Sequence, residues 1–305
     1  MHLSTVDQFK HIDNAELITL DDEQLFRLQR VLLMMARDII GYCEENNINY
    51  HLGGGTALGA MRHKGFIPWD DDMDINMPRA DYDAFISGFA RVHKDKYVVE
   101  SPEQTPNYRS WGARVRLKGT RLKDREDIGN NNVGVWVDIF PVENTYDNVV
   151  MRDFHGFVSM ALGFICSCTR THQDRNYYYE LAGDNADLRK SLQMKSAIGA
   201  LFSFRSFNKW MKTSVKWYAR CKNDDTRFVV IPSGRKHFFG EIYLRRDMVR
   251  TKKQPFEGEM WNVPVNVERY LTKLYGDWNR LPSLKDREHH AFFAFDLGKY
   301  GTDVD

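Results

Sequence analysis

The sequence predicts an α+β fold: a small mixed sheet flanked by helices, with a helical insertion or cap in its second half. Three observations predict it. Short alternating or apolar runs suited to strands recur at Ile48–Leu52, Asp72–Met77, Tyr97–Val99, Trp111–Leu122 and Val133–Pro141. Segments with three- and four-residue apolar spacing lie around and between them. From about Tyr146 to Phe207 the composition turns to aromatics, Met and Ser with few turn signals, which predicts helices. The expected division is a core over 1–145, a mostly helical insertion over 146–250, and a segment over 251–305 that packs back on the core.

Taken in order, Asp21-Asp22-Glu23 starts a helix, with carboxylates where the helix dipole favours them. Leu25, Leu28, Leu32, Met35, Ile39 and Cys43 give that helix one apolar stripe. The strand Ile48–Leu52 runs into three glycines, Gly53, Gly54 and Gly55, and Thr56 to Arg62 opens a second helix behind them. Pro68 interrupts, and the strand ending at Met77 follows; Asp81 marks a further helix start. In Trp111–Leu122, Ala113, Val115 and Leu117 alternate with Arg114, Arg116 and Lys118, read as a solvated strand face, with phosphate contact by Arg114 and Arg116 near Asp138 the alternative. A Gly/Asn turn at 129–132 precedes the apolar strand that holds Asp138. Gly156–Thr169 is the most apolar run; it reads as a core helix, with membrane contact the alternative, and is shorter than the roughly 20 residues of a membrane span. Strand character resumes at Arg227–Gly240, Phe256–Pro264 turns into an edge strand, and Val267–Trp278 predicts a helix.

Chemistry concentrates between Gly53 and Ile75. Asp70, Asp71, Asp72 and Asp74 place four carboxylates in five positions, which repel unless a cation neutralises them. Asp72-Met-Asp74-Ile75 alternates, so a strand would aim Asp72 and Asp74 to one face, an arrangement suited to a hard divalent ion. Asp138, alone between Val137 and Ile139, needs a partner in a buried strand and is the natural third member. A helix N-terminus behind the glycines is an anion site. Asp70 and Asp71 read as loop charges or supports, His63 as a structural hydrogen bonder, Phe66 and Trp69 as packing, and Lys252-Lys253 as surface. An EF-hand is excluded, because Ile75 stands where that loop needs glycine.

The totals bound the rest. A content of 42% hydrophobic and 28% charged residues supports a packed core, and a net charge of +1 predicts no chain-wide pull toward nucleic acid or anionic lipid, so that any attraction for an anion must be local. Cys43, Cys166, Cys168 and Cys221 lack zinc-clasp spacing and read as reduced thiols, hence a cytoplasmic protein. The first residues lack the basic-then-apolar pattern of a secretory signal.

Glycine turn, Asp-x-Asp strand and later lone Asp together resemble the polymerase-beta type of nucleotidyltransferase fold. The resemblance is closer to the LicD family of phosphotransferases, which includes phosphocholine transferases and relatives of fukutin. Gly54–Ile75 resembles that family's signature, Val137–Pro141 its second block, and Phe256–Gly258, Tyr270-Leu271 and Leu274–Asp277 its C-terminal block. Coverage runs from about Asp22 to Pro282, with little to match between about Tyr146 and Arg250. The resemblance implies a nucleotidyltransferase-like core that moves a substituted phosphate from a CDP-linked donor to a hydroxyl of a cell-surface glycan, such as a teichoic acid or lipopolysaccharide precursor. On that basis Asp72, Asp74 and Asp138 are the catalytic carboxylates and ligands of two Mg²⁺ ions, with Mn²⁺ an alternative. Gly54, Gly55, Thr56, Arg62 and Lys64 are the expected phosphate contacts. A glycan or lipid-linked glycan acceptor implies transient contact with the inner face of the membrane. Two other functions compete: a metal-dependent glycosyltransferase, which also uses Asp-x-Asp, and a metal- or nucleotide-binding module without turnover.

Overall fold

The computed structural model describes residues 18–124, 127, 129–130, 132–287, 289–290 and 292–301. The reading of the first 17 residues, and position 131 of the expected turn, lie outside the described residues.

Helix α1, Asp22–Glu45, starts where the sequence predicts: Asp21 accepts from the Gln24 N–H while the Gln24 side chain accepts from the Asp21 N–H. Its predicted stripe is buried from Leu25 to Cys43. Strand β1, His51–Leu52, is shorter than predicted and leads into α2, Gly54–Arg62. Strand β2, Asp74–Pro78, begins two residues after Asp72 and feeds α3, Arg79–Val92. Strands β3, Tyr97–Glu100, β4, Ala113–Leu117, and β5, Arg121–Lys123, follow. The predicted strand through Leu122 is thus two, divided at Gly119, whose φ of +80° only glycine adopts freely. Strand β6, Trp136–Asn144, runs three residues beyond Pro141.

The helical region comprises α4, Val149–Gln173, α5, Arg175–Leu181, α6, Ala186–Leu201, and α7, Phe207–Tyr218. Then come β7, Phe228–Val230, short α8, His237–Gly240, β8, Ile242–Leu244, and short α9, Arg245–Met248. The hairpin β9, Thr251–Phe256, and β10, Glu259–Pro264, precedes α10, Val267–Tyr275, and β11, Ala294–Asp296.

The central strand order is β1-β2-β6-β4-β3, with β2 and β6 parallel and the other neighbours antiparallel. Strand β7 pairs with the far end of β6, and β8 with β7, so this part of the 146–250 region extends the sheet. Alternation gives the sheet two unlike faces. Ala113, Val115, Leu117, Val137 and Ile139 join α1 and α3 in one apolar core. On the other face the register lines up Asp74, Asp138, Arg114 and Glu100 in a single transverse row across β2, β6, β4 and β3. The predicted solvated face of β4 is therefore corrected. Arg114 and Arg116 are buried, because Asp124, Asp127, Asp138 and Glu100 around them supply counter-charges.

Gly156–Thr169 is also corrected. It lies inside a 25-residue helix long and apolar enough to cross a membrane by length and composition, and much of its apolar surface faces outward rather than into a core.

Candidate active site

The glycine turn is built for close approach. Gly54 has φ +40°, and a Cβ there would lie 2.5 Å from the Asp74 Oδ2; one on Gly55 would lie 2.9 Å from the Asp70 Oδ2. Any larger residue displaces those carboxylates from the N-terminus of α2, where the helix dipole favours negative charge. The Gly54 N–H donates to the Tyr270 hydroxyl at 2.9 Å. Thr56 is buried and its Oγ1 accepts from the Asp74 N–H at 2.9 Å, which fixes the start of β2 against the helix. The predicted phosphate contacts Gly54 and Thr56 thus position the carboxylates.

Asp74 and Asp138 stand side by side in the parallel β2–β6 register. Burial, followed by repulsion from Asp72 and Asp138, holds the Asp74 carboxyl well above its ordinary range; Asp70 is raised by burial and by Asp72, Asp71 and Asp74. Both carboxylate oxygens of Asp138 are oriented: Arg114 Nε donates to Oδ1 at 3.1 Å and Trp136 Nε1 to Oδ2 at 2.8 Å. Asp72, half-buried, lies 3.8 Å from His290 Nε2. Asp71 is buried, and it accepts from the N–H of His290 and pairs with its Nδ1, at 2.9 and 2.7 Å. Asp71 is accordingly a support and not a solvated loop charge.

The donor set suits a hard cation in kind, since carboxylate oxygens gather on one face and their mutual repulsion raises the proton affinity of Asp70 and Asp74. Among the described residues no three His, Cys, Asp or Glu side chains already form a closed ligand set. Arg62 donates to the backbone carbonyls of Trp278 and Arg280 at 2.8 and 3.4 Å, tying α2 to the chain after α10. Lys64 is exposed; its carbonyl accepts from the Glu257 N–H, which pins the β9–β10 turn. A polar cavity of about 260 Å³ continues the row past Asp138, lined by Tyr108, Ser110, Arg114, Arg116 and Asn130.

Sequence reasoning missed Glu241 and His290. Glu241 is buried, accepts from the Lys236 N–H at 2.9 Å and the Tyr243 hydroxyl at 3.3 Å, and adds to the field at Asp74. Burial raises its carboxyl from 4.5 to about 7. Such a group binds its proton more tightly folded than unfolded, so stability falls as pH rises from about 4.5 through about 7. The full loss is about 3 kcal/mol, from the shift between 4.5 and about 7. Glu241→Gln is expected to melt higher than the parent at pH 8 and close to it at pH 5. An equal difference at both pH values in calorimetry removes this account.

Residues 47–160 match the family described as LicD/FKTN/FKRP, nucleotidyltransferase domain. The chain is 25% identical over 283 residues to the lipopolysaccharide cholinephosphotransferase LicD of Haemophilus influenzae, covering 92% of this chain and 99% of that protein. It is 44% identical over 48 residues to the human ribitol 5-phosphate transferase FKRP, a stretch that covers 16% of this chain and 10% of the relative. Uncharacterized protein RP689 of Rickettsia prowazekii is 40% identical over 70 residues, 21% of this chain and 26% of that one. The matched 47–160 region spans the glycine turn, the Asp70–Asp74 cluster and Asp138. Over residues 47–160 the chain is therefore similar to the nucleotidyltransferase domain of the LicD family, and over most of its length to one cholinephosphotransferase of that name.

Proposed function

We propose that this protein transfers a substituted phosphate, phosphocholine or a polyol phosphate, from a CDP-linked donor to a hydroxyl of a cell-surface glycan precursor. The observation that carries it is the adjacency of Asp74 and Asp138 in the parallel register, against the N-terminus of α2. In the reaction an acceptor oxygen attacks the phosphorus, the bond to CMP breaks, and the acceptor proton passes to a carboxylate, a role we assign to Asp138, whose oxygens Arg114 and Trp136 orient. Asp72, Asp74 and Asp138 would hold Mg²⁺. When bound, the cation neutralises non-bridging phosphate oxygens. The four cysteines are all free and buried, which suits work in the reducing cytoplasm.

Melting with Mg²⁺ and a panel of CDP-choline, CDP-ribitol and CDP-glycerol tests the donor. A true donor at 100-fold its dissociation constant adds about 2.7 kcal/mol of stability. The expected result is a rise that needs both Mg²⁺ and one CDP-alcohol, with CMP released on turnover. A rise only with UDP-glucose would favour a glycosyltransferase instead.

A further inference from the structure

The outer face of α4 is apolar and lies apart from the chemistry of the carboxylate row. Val150, Phe154, Phe157, Ala161 and Phe164 recur at four- and three-residue steps and are all exposed, an apolar stripe about 21 Å long at 1.5 Å per residue. Phe154 and Phe157 are 62% and 68% exposed. Phe239, from α8, extends the stripe: its ring lies 5.1 Å from that of Phe157. On the other flank Phe154 meets Trp217 at 5.9 Å, and the Arg220 guanidinium sits 4.8 Å over the Trp217 ring. Lys209, Lys212, Lys216 and Arg220, spaced three, four and four apart, form an exposed cationic ridge along α7 and just beyond it. Residues 149–222 contain twelve Lys and Arg against five Asp and Glu, whereas the whole chain is +1.

We propose that this face docks on an anionic lipid bilayer, with α4 lying in the plane of the interface. Aromatic and aliphatic side chains of α4 and α8 enter the acyl boundary, and the α7 ridge meets lipid phosphates. The helix lies on the membrane and does not cross it. Its inner side, with His155, Gly156, Ser159, Cys166 and Cys168, is buried in the protein. His155 also contacts the Trp217 carbonyl through Nε2 at 2.9 Å. A second copy is a poorer occupant, because a twofold contact through this face would oppose two cationic ridges. Phe239 of the stripe lies two residues before Glu241, which adds to the field at Asp74. Docking would bring the head of a lipid-linked acceptor to the carboxylate row; that last clause alone rests on the proposed transfer.

Co-sedimentation of the full chain with vesicles tests the docking without any donor, so its outcome is separate from that of the transferase assay. Binding to phosphatidylglycerol/phosphatidylcholine vesicles is expected to exceed binding to pure phosphatidylcholine at least tenfold and to weaken with salt. Phe154→Ser/Phe157→Ser should lower it tenfold or more at unchanged melting temperature, since both rings are exposed. Lys212→Glu/Lys216→Glu should abolish the preference for anionic lipid. Equal binding by the parent and the Phe double variant overturns the proposal, as does no binding to either vesicle. A dimer in light scattering that the Phe double variant dissociates, without vesicle binding, overturns it in favour of a second copy.

Discussion

Asp72→Asn loses transfer on the order of a thousandfold while melting at or above the temperature of the parent. The first half follows from charge: transferring a phosphate requires its oxygens to be neutralised in the transition state, and removing one preorganised electrostatic contributor typically costs 10²–10³ in rate. The second half follows from the cluster. Asp72 is a leading source of the repulsion that raises Asp70 and Asp74, so an amide there relieves like-charge crowding in the cation-free protein. Asp138→Asn should lose as much activity yet melt lower, because its amide nitrogen would face the Trp136 indole N–H or the Arg114 Nε, both donors. Product analysis by phosphorus NMR together with melting separates the two effects. Near-normal turnover by Asp72→Asn sinks the assignment of the row as catalytic.

Arg114→Met is the substitution expected to cost most stability. The guanidinium is buried between Asp138, at 3.1 Å from Nε, and Asp124, at 2.8 Å from Nη2, with Trp136 beneath it at 4.3 Å. Methionine fills the stem but leaves two buried carboxylates without that partner, and breaking a buried pair from one side costs about 3–5 kcal/mol. At roughly 2–4 °C per kcal/mol for a chain of this class, melting should fall by about 6–20 °C. Arg114→Lys should fall between, because an ammonium keeps the charge but cannot reach both carboxylates in the planar fork. A decrease under one degree for Arg114→Met, measured calorimetrically, would mean that Asp138 and Asp124 are held by something else.

Local chemistry was the part of this chain most legible in advance. The Asp21 cap, the α1 stripe and the glycine turn each depend on residues within a few positions of one another, so spacing alone reveals them. Asp138 was legible for a different reason: a lone carboxylate between Val137 and Ile139 signals a buried charge with a purpose. Glu241, between Gly240 and Ile242 after two phenylalanines, carried the same signal and was passed over. His290 carried no local signal and Tyr270 only its place in the C-terminal block, because their contacts are to Asp71 and Gly54, more than 200 positions away. Arg114 and Arg116 misled through alternation, which fixes the face a side chain takes but not whether acids cover that face. The outward stripe of α4 was hidden by the opposite error: apolar runs read as core unless their covering partner is counted.

The contacts from Tyr270 to Gly54 and from His290 to Asp71 close over 216 and 219 residues. A chain leaving the ribosome at 5–20 residues per second makes the acid cluster roughly 10–45 s before its histidine exists. During that interval crowded aspartates wait beside an unbraced glycine turn, and an emerging α4 presents bare phenylalanines. Nascent chains of this protein should therefore be most in need of chaperones after the helical region has emerged and before His290 follows, and a premature stop there would leave an aggregation-prone product and not a weakened enzyme.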